Sequence, residues 1–303
     1  MKIAFVGECM IELREQGTGS LAYSYAGDVL NAAVYCRREL GTQPLTTAFV
    51  TALGRDSFSH AMLQFWQREK IDCTYVRQLP DKQPGLYLIQ TAANGERSFV
   101  YWRNDSAARY MFNGADGEQL LQRLGEFDGI YVSGITLAIL ADGGCAKLLS
   151  ALEQLKVRGG QVYFDTNFRP RLWSDLDEAR RCYDRVLQLA DIAFVTLEDA
   201  QLLYGIATVE QVLARCAGFT TPELVLKCGA EPCHIRHRGQ VISVPAQPVA
   251  NVVDTTAAGD AFSGAYLAAR LLGQSPEPAA KAAHALAARV IACPGAIIPN
   301  DNR

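Results

Sequence analysis

Short, mostly apolar runs recur along this chain at helix-length intervals, and they leave few architectures open. Ile3 to Val6, Thr46 to Val50, Gly129 to Val132, Gln161 to Phe164, Ile192 to Val195 and Leu224 to Leu226 are each long enough for one strand. Strands that are apolar on both faces need cover on both faces. That requirement implies an α/β fold, a mostly parallel central sheet between two layers of helices. Val29 to Leu40 and Ser57 to Glu69 read as two of those helices; the second carries Phe58, Met62, Phe65 and Trp66 on one face. In open sheets of this kind ligands sit beyond the carboxyl ends of the strands. The polar residues that follow the runs are therefore the ones to weigh: Glu8, Ser133, Asp165, Asn167, Thr196, Glu198, Lys227 and Gly229.

One region departs from the pattern. Gly85 to Thr91 and Arg97 to Arg103 alternate in polarity around Ala93-Asn94-Gly95-Glu96, and an Asn-Gly turn between alternating runs signals a hairpin. Met10 to Arg14 and Leu21 to Tyr25 add extended segments. Together, segments at about 10–25 and 84–103 predict a small sheet outside the main one, serving as a lid or as an edge for dimerisation. No repeat or linker interrupts residues 1–303, so the chain reads as one domain with a lid.

Size and charge narrow the function. At 303 residues and 49% hydrophobic content the chain can bury a large core. A net charge of −3 without a basic block argues against nucleic acid and anionic membrane as partners. No apolar run approaches the ~20 residues of a membrane span, and Met1 to Gly7 reads as a first strand rather than a signal peptide. The expectation is a soluble, cytoplasmic protein. Nine scattered cysteines without a C-x-x-C pair fit reduced thiols packed as small hydrophobes. His234 and His237 lack further ligands nearby in sequence and read as strand-surface residues.

The chemistry concentrates in Asp254-Thr255-Thr256-Ala257-Ala258-Gly259-Asp260. A small-residue helix follows, and the free N–H groups and positive dipole end of a helix start attract anions. A carboxylate there would repel a phosphate unless it had a task, and accepting a proton from an attacking hydroxyl is such a task. An ordinary helix start capped by Asp254 or Thr255 accounts for the same letters. No Walker loop and no His-Arg-Asp loop is present, so phosphate handling would rest on residues 257–260.

With these residues in view, the chain resembles the ribokinase-like carbohydrate kinases over nearly its whole length. Ala26-Gly27-Asp28-Val29-Leu30-Asn31-Ala32-Ala33 is similar to the family's Gly-rich sugar-binding segment, and Asp254 to Asp260 with Gly264-Ala265 to its C-terminal signature. Gly7 to Leu13, Tyr101-Trp102-Arg103-Asn104 and the Thr-Thr-Ala-Ala form of the anion loop resemble the 2-keto-3-deoxygluconate (KDG) kinase subgroup. Most relatives have Gly where Ala257 stands, which requires only that this position accept a methyl group at a backbone angle open to alanine.

The resemblance implies ATP-dependent, magnesium-requiring phosphorylation of the C6 hydroxyl of KDG. Asp260 would be the base, with Ala257, Ala258 and Gly259 as the anion cradle. It implies sugar contacts from Gly27, whose small size lets the backbone approach, and from Asp28 and Asn31. Asp28 also reads as a helix cap. Tyr87, Tyr101, Arg103 and Arg169 would surround the substrate, and arginine suits a sugar carboxylate because it binds in two-toothed fashion. Asp165, Asn167, Thr196, Lys227, Gly229 and Ala230 fall on the nucleotide side, the last three at the adenine pocket. Where the family carries Asn-x-x-Glu, this chain has Thr196-Leu197-Glu198-Asp199, so either Glu198 or Asp199 would serve magnesium. Glu12 is a candidate by position. The segments at Val252–Asp254 and Cys293–Ala296 resemble a monovalent-cation site. A homo-oligomer, a dimer or an assembly of dimers, is implied. A fructokinase, ribokinase or nucleoside kinase, and a sugar-acid sensor without turnover, are the alternatives.

Overall fold

A computed structural model describes residues 1–16, 19–91 and 97–300, and in it the apolar runs pair as one sheet. β1 (Lys2–Val6) lies parallel between β4 (Thr46–Leu53) and β8 (Gly129–Ser133). β9 (Gln161–Asp165), β10 (Ile192–Thr196) and β11 (Glu223–Lys227) extend it in parallel. β12 (Cys233–His237) and β13 (Gln240–Val244) finish one edge antiparallel, and β5 (Val76–Gln78), which no sequence signal marked, finishes the other.

Period-2 alternation sends each strand's side chains to two separate cores. Phe5, Phe49, Tyr131, Phe194 and Val225 face α1 (Asp28–Leu40), α2 (Ser57–Arg68), α9 (Ala258–Leu271) and α10 (Pro276–Ile291). Val6, Val50, Val132, Phe164 and Leu226 face α3 (Gly114–Arg123), α4 (Gly134–Ile139), α5 (Gly144–Val157), α6 (Leu176–Leu189), α7 (Leu197–Tyr204) and α8 (Val209–Cys216). Each buried large apolar side chain contributes about 1.5–3 kcal/mol against solvent exposure. Among the described residues no helix is long and apolar enough to cross a membrane.

One contact between helices aims the site. A Cβ on Gly264 of α9 would lie 2.5 Å from the Ala32 carbonyl oxygen of α1. Only a missing side chain lets the two helices approach this closely, and the approach brings the first turns of α1 and α9 together at the carboxyl ends of the strands.

The predicted small sheet is present. β2 (Met10–Glu15) pairs antiparallel with β3 (Leu21–Ala26) and parallel with β6 (Gly85–Thr91), which pairs antiparallel with β7 (Arg97–Trp102). The Asn94-Gly95 turn lies outside the described residues. Met10, Tyr87 and Ile89 of this sheet share a buried cluster with Ala296, and Ala257 packs against it. One face of the sheet is thereby pinned beside the start of α9. Its outer parts expose Leu21, Tyr23, Phe99, Val100, Tyr101 and Trp102.

Candidate active site

The carboxyl ends of β8, β9 and β11 and the first turns of α1 and α9 converge. Asp165, the last residue of β9, is buried, and its Oδ2 accepts three hydrogen bonds. They come from Lys227 Nζ at 2.8 Å, Ser263 Oγ at 2.7 Å and Tyr131 OH at 3.3 Å. Ser263 and Tyr131 carried no sequence signal of function, although Ser263 lies one helical turn after Asp260 and so shares its face. Lys227 is expected at an adenine pocket; its ammonium ties Asp165 to Ser263, 2.8 and 3.0 Å away, beside the 257–260 turn. A Cβ on Gly259 would meet only Lys227 Nζ, at 3.5 Å. The first turn of α9 therefore has open space above it with a cation alongside.

Asp260 is half-buried in that turn, and its Oδ2 accepts from Asn31 Nδ2 at 2.9 Å. Burial raises its pKa most, the Asp28 and Asp165 charges add to the rise, and together they push it up to about 7. Asn31 and Lys227 act in the opposite sense. The polar and charged groups that act on the carboxylate are Asp28, Asn31, Asp165 and Lys227, and its affinity for a proton suits general-base work near neutral pH.

Three local expectations need correction. α9 starts at Ala258, and its N-cap is Ala257 rather than Asp254 or Thr255. Asp254 instead turns its carboxylate onto Thr256 N and Gly295 N, both at 2.8 Å, which joins the 252–254 and 293–296 segments. Ala257 has φ of 61°, a left-handed conformation, so its backbone angle is a strained one for alanine, costing about 1–2 kcal/mol. Asp28 does not cap α1, because the N-cap is Gly27; Asp28 is the first helical residue and accepts from Asn167 Nδ2 at 2.8 Å. Gly27 also has a packing reason to be small: a Cβ there would lie 2.1 Å from the Glu8 carbonyl oxygen.

Asn167, placed on the nucleotide side by sequence, holds φ of 31° and reaches across to Asp28 at the start of α1. The two acids of α7 separate cleanly. Asp199 is buried, accepting from Thr166 Oγ1 at 2.7 Å and Phe168 N at 3.0 Å, with its pKa raised by burial. It organises the turn after β9. Glu198 is exposed in the first turn of α7, whose N-cap is Thr196. Arg169 projects into solvent with its Nη1 3.9 Å from Asp199. Gly229 holds φ of 65° after β11, and Ala230, next in sequence, is exposed; neither is in the Asp165–Lys227 cluster.

Arg103 is the strongest surprise, since an arginine after an edge strand is ordinarily a solvated surface group. It is 7% exposed, its Nη2 donates to Glu8, and Ser106 Oγ donates to the same carboxylate. Gly85 leaves the room: a Cβ there would meet Glu8 Oε1 at 2.9 Å. Among the described residues the buried Arg103 Nε has no hydrogen-bond partner. Deeper in the small sheet, Glu12 accepts from Tyr87 OH and from Ser24 Oγ at 2.8 Å, and Tyr87 lies opposite Tyr101 with ring centroids 5.7 Å apart. His237 is half-buried against Glu223 at 3.0 Å, more enclosed than a strand-surface residue.

The sequence profile of the pfkB family of carbohydrate kinases matches residues 1–303. The chain belongs to that family. A 2-dehydro-3-deoxygluconokinase of Dickeya dadantii (strain 3937) is 47% identical over 98% of this chain and 96% of its own length. One from Escherichia coli (strain K12) is 45% identical over 99% and 98%. The crystal structure of a 2-dehydro-3-deoxygluconokinase from Thermotoga maritima superposes with a TM-score of 0.84 at 22% identity, covering 98% of this chain and 96% of that one. The fold of this pfkB kinase is accordingly ribokinase-like. The family's phosphoryl chemistry draws on ATP, and the first turn of α9 is where this chain gathers its amide donors beside a carboxylate.

Proposed function

We propose that this pfkB kinase transfers the γ-phosphoryl group of ATP to the C6 hydroxyl of 2-dehydro-3-deoxy-D-gluconate, the same compound as KDG. The observation that carries the chemistry is Asp260, a carboxylate with raised proton affinity held by Asn31 at the amide-rich start of α9. As the sugar oxygen attacks the γ-phosphorus, Asp260 takes its proton. The amides of Gly259 and Asp260 and the Lys227 ammonium face the charge that spreads over the transferring group, while the Ala258 amide donates to the Thr255 carbonyl within the turn. The chain's similarity to 2-dehydro-3-deoxygluconokinases over nearly the full length supports the sugar acid as acceptor.

Asp28 and Asn167 form one polar wall of the proposed sugar site, and Tyr87, Tyr101 and Arg103 of the lid form the other. Arg103 would offer its unpartnered Nε side to the substrate carboxylate while Glu8 holds the guanidinium in place. Gly27 and Asn31 shape this wall from beneath, and Arg169 closes its solvent side. Thr196, Gly229 and Ala230 border the nucleotide. Among the described residues no group of three or more His, Cys, Asp or Glu is placed to hold a metal. Mg2+ fits that donor set as an ion carried largely by phosphate oxygens and water, with the exposed Glu198 as the free acid to approach it. When bound, Mg2+ neutralises phosphate charge. The 252–254 and 293–296 segments, joined through Asp254, are where a monovalent cation would sit.

The chain works as one kinase unit with the small sheet as its lid, and a second copy would cover the exposed lid aromatics. A coupled assay of ADP release with KDG, gluconate, fructose, ribose and nucleosides tests the reading. KDG should give the highest kcat/KM, and phosphate should appear on C6. A preference for fructose or a nucleoside would overturn the substrate; KDG binding without ADP release would overturn the activity in favour of a sensor.

A further inference from the structure

Far from the strand ends, two thiols face one another. Cys145 lies in the first turn of α5 and Cys182 in the middle of α6, 37 residues apart in sequence, with their sulfurs 3.9 Å apart. That is van der Waals contact, and a bond would require closing it to the ~2 Å of an S–S link. Both are partly exposed at the edge of the second core, and both are free thiols. Cys9, Cys36, Cys216 and Cys233, by contrast, are buried. The chemistry around the pair is unequal. Cys145 donates its S–H to Cys182, which lowers the pKa of Cys182 and raises that of Cys145. The Arg181 and Arg185 charges act on Cys182 in the same lowering sense, while partial burial and the Glu178 charge oppose them. One sulfur is thus prepared as a nucleophile and its neighbour sits where a second attack can follow.

We propose that Cys145 and Cys182 are an oxidation site for peroxide-class oxidants, closing to a reversible disulfide that staples α5 to α6. The Cys182 thiolate attacks one peroxide oxygen; an S–O bond forms, the O–O bond breaks, and hydroxide leaves to become water on protonation. Cys145 then gives up its proton and attacks the Cys182 sulfur; the S–S bond forms, the S–O bond breaks, and a second water leaves. Two electrons pass from the thiols to the peroxide, and the balance is two thiols and one hydrogen peroxide giving one disulfide and two waters. The staple bears on the catalytic end of the molecule through the next residue. Tyr183 packs edge-on against Phe168 and Phe164, the side chains that anchor the turn from Asp165 to Arg169.

The test needs no kinase assay and so stands or falls apart from the proposed activity. Full-length protein is treated with hydrogen peroxide, alkylated, digested with trypsin without reductant and analysed by mass spectrometry. The expected product joins peptide 124–147 to peptide 182–185 and disappears on adding dithiothreitol. Cys145→Ser and Cys182→Ser should each abolish it, with Cys182 trapped as a sulfenic acid in the first. Oxidised wild type should melt several degrees above the reduced protein, because a crosslink over this loop restricts the unfolded chain. Overoxidation of Cys182 with Cys145 still alkylated, or crosslinks joining other cysteines, would overturn the proposal.

Discussion

Asp260 sets the sharpest expectations at the scale of single residues. Replacing it by Asn removes the proposed base while keeping the shape that Asn31 contacts. Turnover should fall by about 10²–10⁴-fold, with ATP binding retained by calorimetry. The raised pKa also predicts a stability change of definite sign. The unfolded carboxyl loses its proton near the ordinary value of 3.8, whereas the folded one keeps it up to about 7. Between those values the native state binds more protons, so wild-type stability falls as pH rises, and the loss is complete above about 7. Asp260→Asn should therefore melt higher than wild type at pH 8, with the difference shrinking toward pH 5. A melting difference that stays constant across this range would remove the strained carboxylate from the argument. Gly259 offers the complementary case. Ala at this helical position lowers backbone entropy and meets only Lys227, so Gly259→Ala should leave stability unchanged or raise it by about 0.5–1 kcal/mol. Its methyl group would occupy the space above the first turn, and the KM for ATP should rise. A variant that is less stable but fully active would show that Gly259 serves the fold.

At the scale of elements, the α1–α9 contact carries the geometry of the proposed base. A methyl group on Gly264 would clash with the backbone of Ala32, and backbone cannot rotate away as a side chain can. Gly264→Ala should cost about 1–3 kcal/mol through overpacking. It should also lower kcat by moving Asp260 from Asn31, an effect that a stabilising change elsewhere would not restore. A variant whose kcat recovers fully once stability is restored would mean that the spacing of the two helices does not set the base. The strands of the main sheet were legible because burial on both faces leaves an unbroken apolar signature, and β6 and β7 because their alternation changes the period. The 257–260 turn was legible as a helix start with a misplaced acid. The reasons for its neighbours were not, since they depend on what comes close in space. Gly27 is small because of Glu8, Lys227 belongs with Asp165, and Arg103 is buried because Gly85 makes room for its partner. None of these pairings lies within a span that periodicity can read. Ala257 was misjudged because sequence shows the missing glycine but not the left-handed angle that the turn imposes.

For the molecule as a whole, the question is whether the small sheet and the main sheet recognise one sugar acid together, as proposed. The buried contact between Glu8, at the end of β1, and Arg103, at the end of β7, spans the two sheets. Removing Arg103 outright would leave Glu8 buried without its counter-charge, a cost of about 3–5 kcal/mol, so Arg103→Ala confounds folding with binding. The paired change Glu8→Gln with Arg103→Gln removes both charges and keeps polar shape. Ligand linkage then separates the two roles. KDG at about 100 times its Kd should stabilise wild type by about 2.7 kcal/mol. By the usual unfolding entropy of a chain of 303 residues, this is a rise of about 4 °C in Tm. In the double variant the KDG-dependent rise, measured at the same concentration, should largely vanish while the ATP-dependent rise persists. Equal loss of both would mean that the pair holds the lid for either ligand and reads no carboxylate. Retention of both would place the sugar acid's charge elsewhere, with the solvent-facing Arg169 as the next residue to test.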